Sequence, residues 1–222
     1  SAAFAPGEVV GIIGPNGAGK TTFFNALSGV QVTTAGELYA SGERLTGSSA
    51  NRFARKGIAR TFQTPRVFAD LPVAANIDFG LQFAGRRRTA SWLLKDETSI
   101  LHLIGLQSQA ALPAGAITPS QQRLLEIGMA LATRPRLLLL DEVAAGLTEA
   151  EIESMAQLIR RLRDELDLTV IWIEHAVTTL LRHVERVLVL HQGRKIADGT
   201  PGEVIRNADV VEAYLGDEMV EA

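Results

Sequence analysis

The sequence predicts an α/β fold in which a mostly parallel β-sheet is covered by helices and interrupted by a helical insertion. Short apolar, β-branched runs alternate with segments of helical period, which is typical of parallel strands buried between two helical layers. Between residues 64 and 120 this alternation stops, and prolines separate segments of helical period. We therefore expect a core formed by residues 1–63 and 121–222, and a helical subdomain formed by residues 64–120.

The individual elements follow from the same patterns. Strands are expected at Glu8–Ile13, Gly36–Ala40, Gly57–Phe62, Leu137–Leu140, Leu168–Ile173, Val187–Leu190 and Lys195–Ala197. Helices are expected at Lys20–Ser28, Trp92–Leu103, Gln121–Ala132 and from Thr148 to about Leu166. Polar residues alternate in the second strand, which is typical of a half-exposed sheet, so we assign it to a partial antiparallel β subdomain.

Composition excludes several classes of protein. The 222 residues are 46% hydrophobic and 21% charged, as in ordinary globular proteins, and the net charge of −3 gives no general attraction to nucleic acid. The absence of cysteine excludes disulfides and thiolate metal sites. No apolar run approaches the roughly 18 residues of a membrane helix, and no signal peptide is recognised, so we expect a soluble, cytoplasmic chain with no nucleic-acid partner.

Short basic clusters are interpreted as solvated faces, because runs of charge usually are. The clusters are Arg52, Arg55, Lys56 and Arg60, followed by Arg86, Arg87 and Arg88.

A complete phosphate-binding motif lies between the first strand and the first helix. Its pattern is G-x-x-x-x-G-K-T, which lets backbone N–H groups surround phosphate oxygens at the positive end of a helix. The residues expected to bind ATP here are Gly14, Pro15, Asn16, Gly17, Ala18, Gly19, Lys20, Thr21 and Thr22. Lys20 is expected to reach the β- and γ-phosphates, and the Thr21 hydroxyl to ligate Mg²⁺. This motif predicts a P-loop NTPase with a RecA-like parallel sheet.

Two carboxylates follow a run of four leucines. Asp141 and Glu142 end the strand Leu137–Leu140, and ligands bind at the carboxyl ends of strands in open α/β sheets. Asp141 suits the outer shell of Mg²⁺, and Glu142 suits a general base that polarises the attacking water. By itself the run is also compatible with a strand followed by solvated acids.

Two further polar residues follow strands. His175 comes directly after Leu168–Ile173 and Glu174, where it is placed to contact the γ-phosphate; we interpret the other three histidines as structural. Gln63 follows the strand that leads into the helical insertion. We expect it to ligate Mg²⁺ and to report nucleotide binding to the insertion.

These elements occur in the same order in the ATPases of ABC transporters, and the sequence resembles that family from end to end. Within the family it is similar to the ATP-binding subunits of branched-chain amino-acid importers. The segments that carry this finer resemblance are Gly14–Gly17, Phe24–Gly29, Arg60–Gln63, Gln121–Arg123, Leu137–Leu147, Gly199–Pro201 and Ala213–Gly216. Related lipid exporters carry similar ATPases.

The resemblance implies partners and a place in the cell. Members of the family form head-to-tail dimers with two ATP molecules at the interface. Each ATP is held by the P-loop of one subunit and by the signature segment of the other, whose family sequence is Leu-Ser-Gly-Gly-Gln. The partner is therefore a second ABC ATPase subunit, identical or different. The helical subdomain is expected to dock on membrane permease subunits or on a fused permease domain, which would hold the protein on the inner face of the cell membrane.

The signature segment departs from the family pattern. The family sequence Leu-Ser-Gly-Gly-Gln aligns with Ile117–Gln121, so that Thr118, Ser120 and Gln121 are the expected contacts to nucleotide. Pro119 lacks an N–H, and Ser120 has a side chain where glycine allows close approach to phosphate. The same residues also form a capping box, with Thr118 as N-cap, Pro119 at the first helical position and Gln121 at the third. The sequence therefore predicts an intact helix with a weakened grip on phosphate.

A second departure concerns the adenine. The N-terminal strands that usually carry an aromatic residue stacked on the base are not found, and we interpret Phe4 as part of the core.

Three functions remain open from the sequence. The first is the ATPase of an importer for branched-chain or other hydrophobic amino acids. A variant of the first is the ATPase of a lipid exporter. The second is a weakly or non-catalytic nucleotide-binding module that pairs with an intact ATPase. The third is a soluble ABC ATPase of DNA repair or translation, which the acidic charge balance disfavours.

Overall fold

The computed structural model describes residues 1–83, 94–174 and 177–218. The strands of this part of the chain are β1 Val9–Ile13, β2 Tyr39–Ala40, β3 Glu43–Arg44, β4 Ile58–Arg60, β5 Leu137–Asp141, β6 Thr169–Ile173, β7 Arg186–His191 and β8 Arg194–Gly199. Its α-helices are α1 Lys20–Leu27, α2 Ala50–Arg55, α3 Val73–Phe83, α4 Glu97–Ile104, α5 Pro119–Ala132, α6 Glu149–Leu166, α7 Val177–Leu181, α8 Pro201–Val204 and α9 Ala208–Glu218.

Six strands form one sheet in the order β4-β5-β6-β1-β7-β8. All neighbours in it are parallel except β7 and β8, which form an antiparallel pair. Every residue of β1 and β6 is buried, which explains why these strands are continuously apolar rather than alternating. The predicted α/β fold with a parallel sheet is confirmed, and the carboxyl ends of β1, β5 and β6 lie side by side at one edge.

The helical insertion shares its core with the sheet. Val73, Ile77 and Ile100 of α3 and α4 belong to the same buried cluster as Leu138 and Val170 of the sheet. Helices α3 and α4 pack on α5, which leads back into the core. The division at residues 63 and 120 stays a prediction, because the hydrophobic cluster runs continuously across it.

Caps define the helices that matter for the site. The Thr118 hydroxyl accepts from the Gln121 N–H at 3.2 Å, and the Gln121 side chain accepts from the Thr118 N–H at 3.0 Å. The predicted capping box with Pro119 at the first helical position is therefore present. Helix α1 ends as predicted before Gly29, whose φ of +70° suits glycine.

A strand and a helix are among the elements whose bounds differ from the sequence-based expectation. The strand predicted at Gly36–Ala40 covers only Tyr39–Ala40, because Ser41 and Gly42 take positive φ and turn the chain into a two-residue hairpin with β3. This hairpin is the small antiparallel β element. The helix predicted at Trp92–Leu103 begins only at Glu97, where Asp96 caps it through the N–H of Ser99. Trp92 lies outside the described residues.

No helix in the described ranges combines the length and the apolar character needed to cross a bilayer.

Candidate active site

The phosphate-binding motif forms a loop from the end of β1 to the start of α1. Gly17 and Gly19 have φ of +76° and +96°, backbone conformations that residues other than glycine rarely adopt. A Cβ at Gly14 would overlap the backbone carbonyl of Leu190, so only glycine fits there. Thr21 and Thr22, in the first turn of α1, are exposed. The loop therefore presents backbone and two hydroxyls at the positive end of a helix, where anions bind.

Lys20 extends over this loop rather than into solvent. Its ammonium donates to the carbonyl oxygens of Gly14 at 2.5 Å and Pro15 at 3.0 Å. Burial lowers the pKa of Lys20, and the negative charge of Glu142 partly offsets this effect. The ammonium thus lies in a site where a further anion would stabilise its charge.

Asp141, at the end of β5, forms a buried ion pair with Arg60 of β4. The Arg60 Nη2 lies 2.6 Å from Asp141 Oδ2, and both side chains are 7% exposed. Arg60 also donates to Asn25 Oδ1 at 2.6 Å and to Ser28 Oγ at 3.3 Å, which ties β4 and β5 to α1. The Phe24 and Phe62 rings lie near the guanidinium, at 5.7 and 5.2 Å from its carbon.

This contact corrects the interpretation of Arg60 as part of a solvated basic face. Arg52 and Lys56 do pair with Glu43 at the surface, as expected of a solvated cluster. Arg60 differs because β4 carries it under α1, beside the carboxylate of the next strand. No neighbouring residue in the sequence marks Arg60 as buried, because its carboxylate partner lies 81 residues away. Residues Arg86–Arg88 lie outside the described residues.

Glu142 lies at the centre of a second set of contacts. The Gln63 side-chain amide donates to Glu142 Oε2 at 2.6 Å, so two residues predicted separately are in direct contact. Arg123 of α5 donates to the main-chain oxygens of Glu142 at 2.9 Å and of Gln63 at 3.3 Å. Glu142 has φ of +52°, a conformation that costs a non-glycine residue about 1–3 kcal/mol and occurs often at functional sites.

Glu174, at the end of β6, is a buried carboxylate that the sequence analysis did not single out. It accepts from the Ala144 N–H at 2.7 Å and from the Trp172 indole N–H at 2.8 Å. Burial raises the pKa of Glu174. The feature of the sequence that could have identified Glu174 is an acidic residue directly after a strand of apolar residues. His175 lies outside the described residues, so its predicted role is untested.

The signature segment begins α5 on the helical side of the molecule. The Thr118 and Ser120 hydroxyls are 3.0 Å apart. The pKa of Glu151 in α6 is lowered by hydrogen bonds from the N–H and hydroxyl of Thr148 and from the Ser120 hydroxyl. Ser120 therefore connects the start of α5 with the start of α6, while Thr118 and Gln121 cap α5.

The residues predicted to hold Mg²⁺ supply oxygen atoms. Thr21 offers an exposed hydroxyl, Gln63 an exposed side-chain amide, and Asp141 a carboxylate already paired with Arg60. The described residues contain no group of three or more His, Cys, Asp or Glu arranged to hold a metal. This arrangement fits Mg²⁺, which binds few protein oxygens and completes its shell with water and phosphate.

Comparison with known proteins decides the family. Residues 1–145 match the ABC transporter family. This chain is an ABC-type ATPase. Residues 194–220 match a second family, described as branched-chain amino acid ATP-binding cassette transporter, and include the tail that carried part of the finer resemblance.

Curated relatives of this ABC-type ATPase agree with that second match. It is 38% identical over 223 residues to the high-affinity branched-chain amino acid transport ATP-binding protein BraF of Pseudomonas aeruginosa, covering 95% of this chain and 88% of BraF. It is also 38% identical over 226 residues to the corresponding protein LivG of Escherichia coli K12, covering 96% and 88%. The predicted resemblance to importer ATP-binding subunits is thereby confirmed.

Solved structures confirm the fold of the ATPase. The ADP conformation of MJ1267, an ATP-binding cassette of an ABC transporter, superimposes with a TM-score of 0.84 at 29% identity, covering 97% of this chain and 90% of that one. A nucleotide-free ATP-binding cassette superimposes with a TM-score of 0.81 at 27% identity, covering 96% and 90%. ABC cassettes solved with and without nucleotide thus share the architecture described above.

Proposed function

We propose that this ATPase hydrolyses Mg-ATP to power an ABC importer for branched-chain or other hydrophobic amino acids. The observation that carries the proposal is the meeting of Lys20, Asp141 and the Gln63–Glu142 pair at one edge of the sheet. The chain that holds this arrangement resembles BraF and LivG over nearly its whole length.

The site residues divide the work of hydrolysis between binding and proton transfer. The N–H groups of residues 16–22 and the Lys20 ammonium hold the phosphates. Glu142 accepts a proton from the water that attacks the γ-phosphorus, while the bond from that phosphorus to the β–γ bridging oxygen breaks, giving ADP and phosphate. The Gln63 amide orients the Glu142 carboxylate through its hydrogen bond. His175 is assigned to the γ-phosphate on sequence grounds.

Magnesium completes this site in the proposal. When bound, Mg²⁺ would supply positive charge that neutralises the negative charge developing on the phosphates. Thr21 and Gln63 would be its protein ligands, and Asp141 would accept from water in its outer shell.

Two partners follow from the same proposal. A second ATPase subunit would present its signature to this P-loop, while Thr118, Ser120 and Gln121 of this chain serve the partner's nucleotide. The permease would dock on the helical subdomain, where the Phe68 and Phe79 rings lie 4.8 Å apart and the Phe79 and Phe83 rings 5.1 Å apart. All three are exposed, and an exposed apolar cluster is typical of an interaction surface. Docking there would place the ATPase on the cytoplasmic face of the membrane.

Transport in proteoliposomes tests this function. The complex of this ATPase with its permease, purified from its source cells, is expected to accumulate radiolabelled leucine, isoleucine or valine when Mg-ATP is supplied on the ATPase side. A Glu142→Gln complex serves as the blank. A Phe83→Ser complex is expected to lose uptake while the isolated chain keeps its ATP turnover. ATP hydrolysis that drives lipid movement and no amino-acid uptake would contradict the proposal.

The altered signature leads to a prediction about rate. Replacing both Pro119 and Ser120 by glycine is expected to raise ATP turnover several-fold, because an N–H is restored and a side chain that hinders approach to phosphate is removed. The same change lowers helix stability by about 0.5–1 kcal/mol per glycine, which a thermal melt detects. Ser120→Ala is the matched control, since it removes the hydroxyl and keeps the Cβ. Unchanged turnover in the double-glycine variant would contradict the prediction.

A further inference from the structure

Glu126 is a buried carboxylate in α5 that the mechanism above does not use. It lies five residues after Gln121, the last residue of the signature, and it is only 6% exposed. A charged side chain is seldom buried so completely unless partners hold it. Its partners therefore indicate what it does.

Both oxygens of Glu126 accept backbone N–H groups from the segment that follows β4. The N–H of Phe62 donates to Oε2 at 3.3 Å, and the N–H of Arg66 donates to Oε1 at 3.0 Å. These two donors lie on either side of Gln63. One carboxylate from α5 thus fixes the main chain both before and after the residue whose amide contacts Glu142.

Burial and the neighbouring groups have opposite effects on the ionisation of Glu126. Burial raises the pKa of Glu126 to about 7, while the two N–H donors and the positive charges of Arg123 and Arg66 partly offset that effect. Arg123 faces it from its own helix, and Arg66 faces it from the segment it holds. The Arg66 guanidinium also stacks on the Phe62 ring, with its carbon 4.0 Å from the ring centre.

Arg123 and Glu126 lie three residues apart, on one face of α5. Arg123 holds the main-chain oxygens of Gln63 and Glu142, and Glu126 holds the N–H groups that flank Gln63. A single helix face therefore contacts both halves of the Gln63–Glu142 pair.

The segment that follows, residues 68–72, is held by hydrogen bonds to a neutral side chain. Asn76 of α3 accepts from the Phe68 N–H at 2.8 Å and donates to the carbonyl oxygens of Phe68, Leu71 and Pro72. An uncharged amide is thus enough to hold a loop of this length in this protein. The segment that carries Gln63 is held instead by an ionisable carboxylate.

We propose that Glu126 is a positioning residue, whose carboxylate sets the main chain around Gln63 and thereby holds the Gln63 amide against Glu142. Because Glu126 belongs to the helix that begins with the signature, any movement of that helix shifts Gln63 with it. The inference rests on the proposed function, in which Gln63 and Glu142 act together on the water and the metal.

Amide NMR of the full chain across pH 5.5–8.5 tests this inference, the range chosen to span about one and a half units on either side of the expected midpoint. The Phe62 and Arg66 amide protons are expected to shift together with a midpoint near the Glu126 pKa of about 7. In Glu126→Gln both shifts are expected to become independent of pH, because the neutral amide accepts one N–H and opposes the other. The NMR signals of the Gln63 side-chain amide are assigned by their absence in Gln63→Glu. Their chemical shifts are expected to change in Glu126→Gln.

Kinetics separate positioning from a purely structural role. Glu126→Gln is expected to lower kcat about tenfold with the KM for ATP changed less than about twofold, as is usual when a supporting residue is lost. The unsubstituted chain is expected to lose activity below about pH 7, because protonation of Glu126 removes one of its two backbone N–H contacts. The kcat of Glu126→Gln is expected not to change over this pH range. The matched control is Glu203→Gln, which changes another carboxylate that accepts a backbone N–H, outside the site.

Each contrary result overturns the inference. Phe62 and Arg66 amides that do not titrate together would show that Glu126 does not hold this segment. An unchanged Gln63 side-chain signal, or an unchanged kcat in Glu126→Gln, would show that it does not position Gln63. Absence of hydrolysis in the unsubstituted chain would contradict the proposed function instead, while the amide titration and the Gln63 signal still decide the role of Glu126.

Discussion

Glu142→Gln is expected to lower ATP turnover by about 10²–10⁴-fold, the usual contribution of a general base, while the Kd for Mg-ATP stays within about threefold. The amide keeps the size of the side chain and an oxygen for the Gln63 amide, which donates to Glu142 at 2.6 Å. It cannot accept the proton of the attacking water. Phosphate release under single-turnover conditions measures the rate, and calorimetry measures binding.

Glu149→Gln is the matched control, because Glu149 is an exposed carboxylate in the first turn of α6. It is expected to hydrolyse ATP at the unsubstituted rate. Retention of more than about a tenth of the turnover in Glu142→Gln would remove Glu142 from the role of base.

Arg60→Met is expected to lower the free energy of unfolding by about 3–5 kcal/mol, the usual effect of removing one partner from a buried ion pair. The substitution leaves the Asp141 carboxylate buried without the guanidinium 2.6 Å away. It also removes the contacts to Asn25 of α1 and to Ser28, which directly follows that helix. Urea unfolding followed by circular dichroism measures the change.

A second substitution separates the charge effect from lost packing. Adding Asp141→Leu to Arg60→Met is expected to recover much of the lost stability, since replacing both ions by apolar side chains is often close to neutral. Arg161→Ala, which breaks an exposed i,i+4 pair with Glu165, is the control and is expected to change stability by less than about 1 kcal/mol. An Arg60→Met variant as stable as that control would mean that the Arg60–Asp141 pair does not stabilise the fold.

Features of the site that depend on local sequence were predictable. The glycine pattern of residues 14–19 predicts a loop because glycine adopts positive φ far more easily than other residues. Asp141 and Glu142 come at the end of a strand whose burial is evident from four leucines. The capping box at Thr118 was equally predictable, since it involves only residues three apart.

Features that depend on distant contacts were not predictable. Arg60 is 81 residues from Asp141, and Glu126 is 64 residues from Phe62, so neither charge is recognisable as buried from its neighbours in sequence. The interpretation of Arg60 as solvated was wrong for this reason. The direct contact of Gln63 with Glu142 arises in the same way, from β4 and β5 lying side by side.

ATP turnover per chain, measured over a wide range of protein concentration with Glu142→Gln as the blank, tests whether this chain is a working ATPase subunit. We expect a rate that rises with concentration, saturates and disappears in the blank, because in the proposed function two chains together complete each nucleotide site. A rate equal to that of the blank at every concentration would contradict the claim that this chain is itself a working ATPase subunit, whether or not the chain binds Mg-ATP.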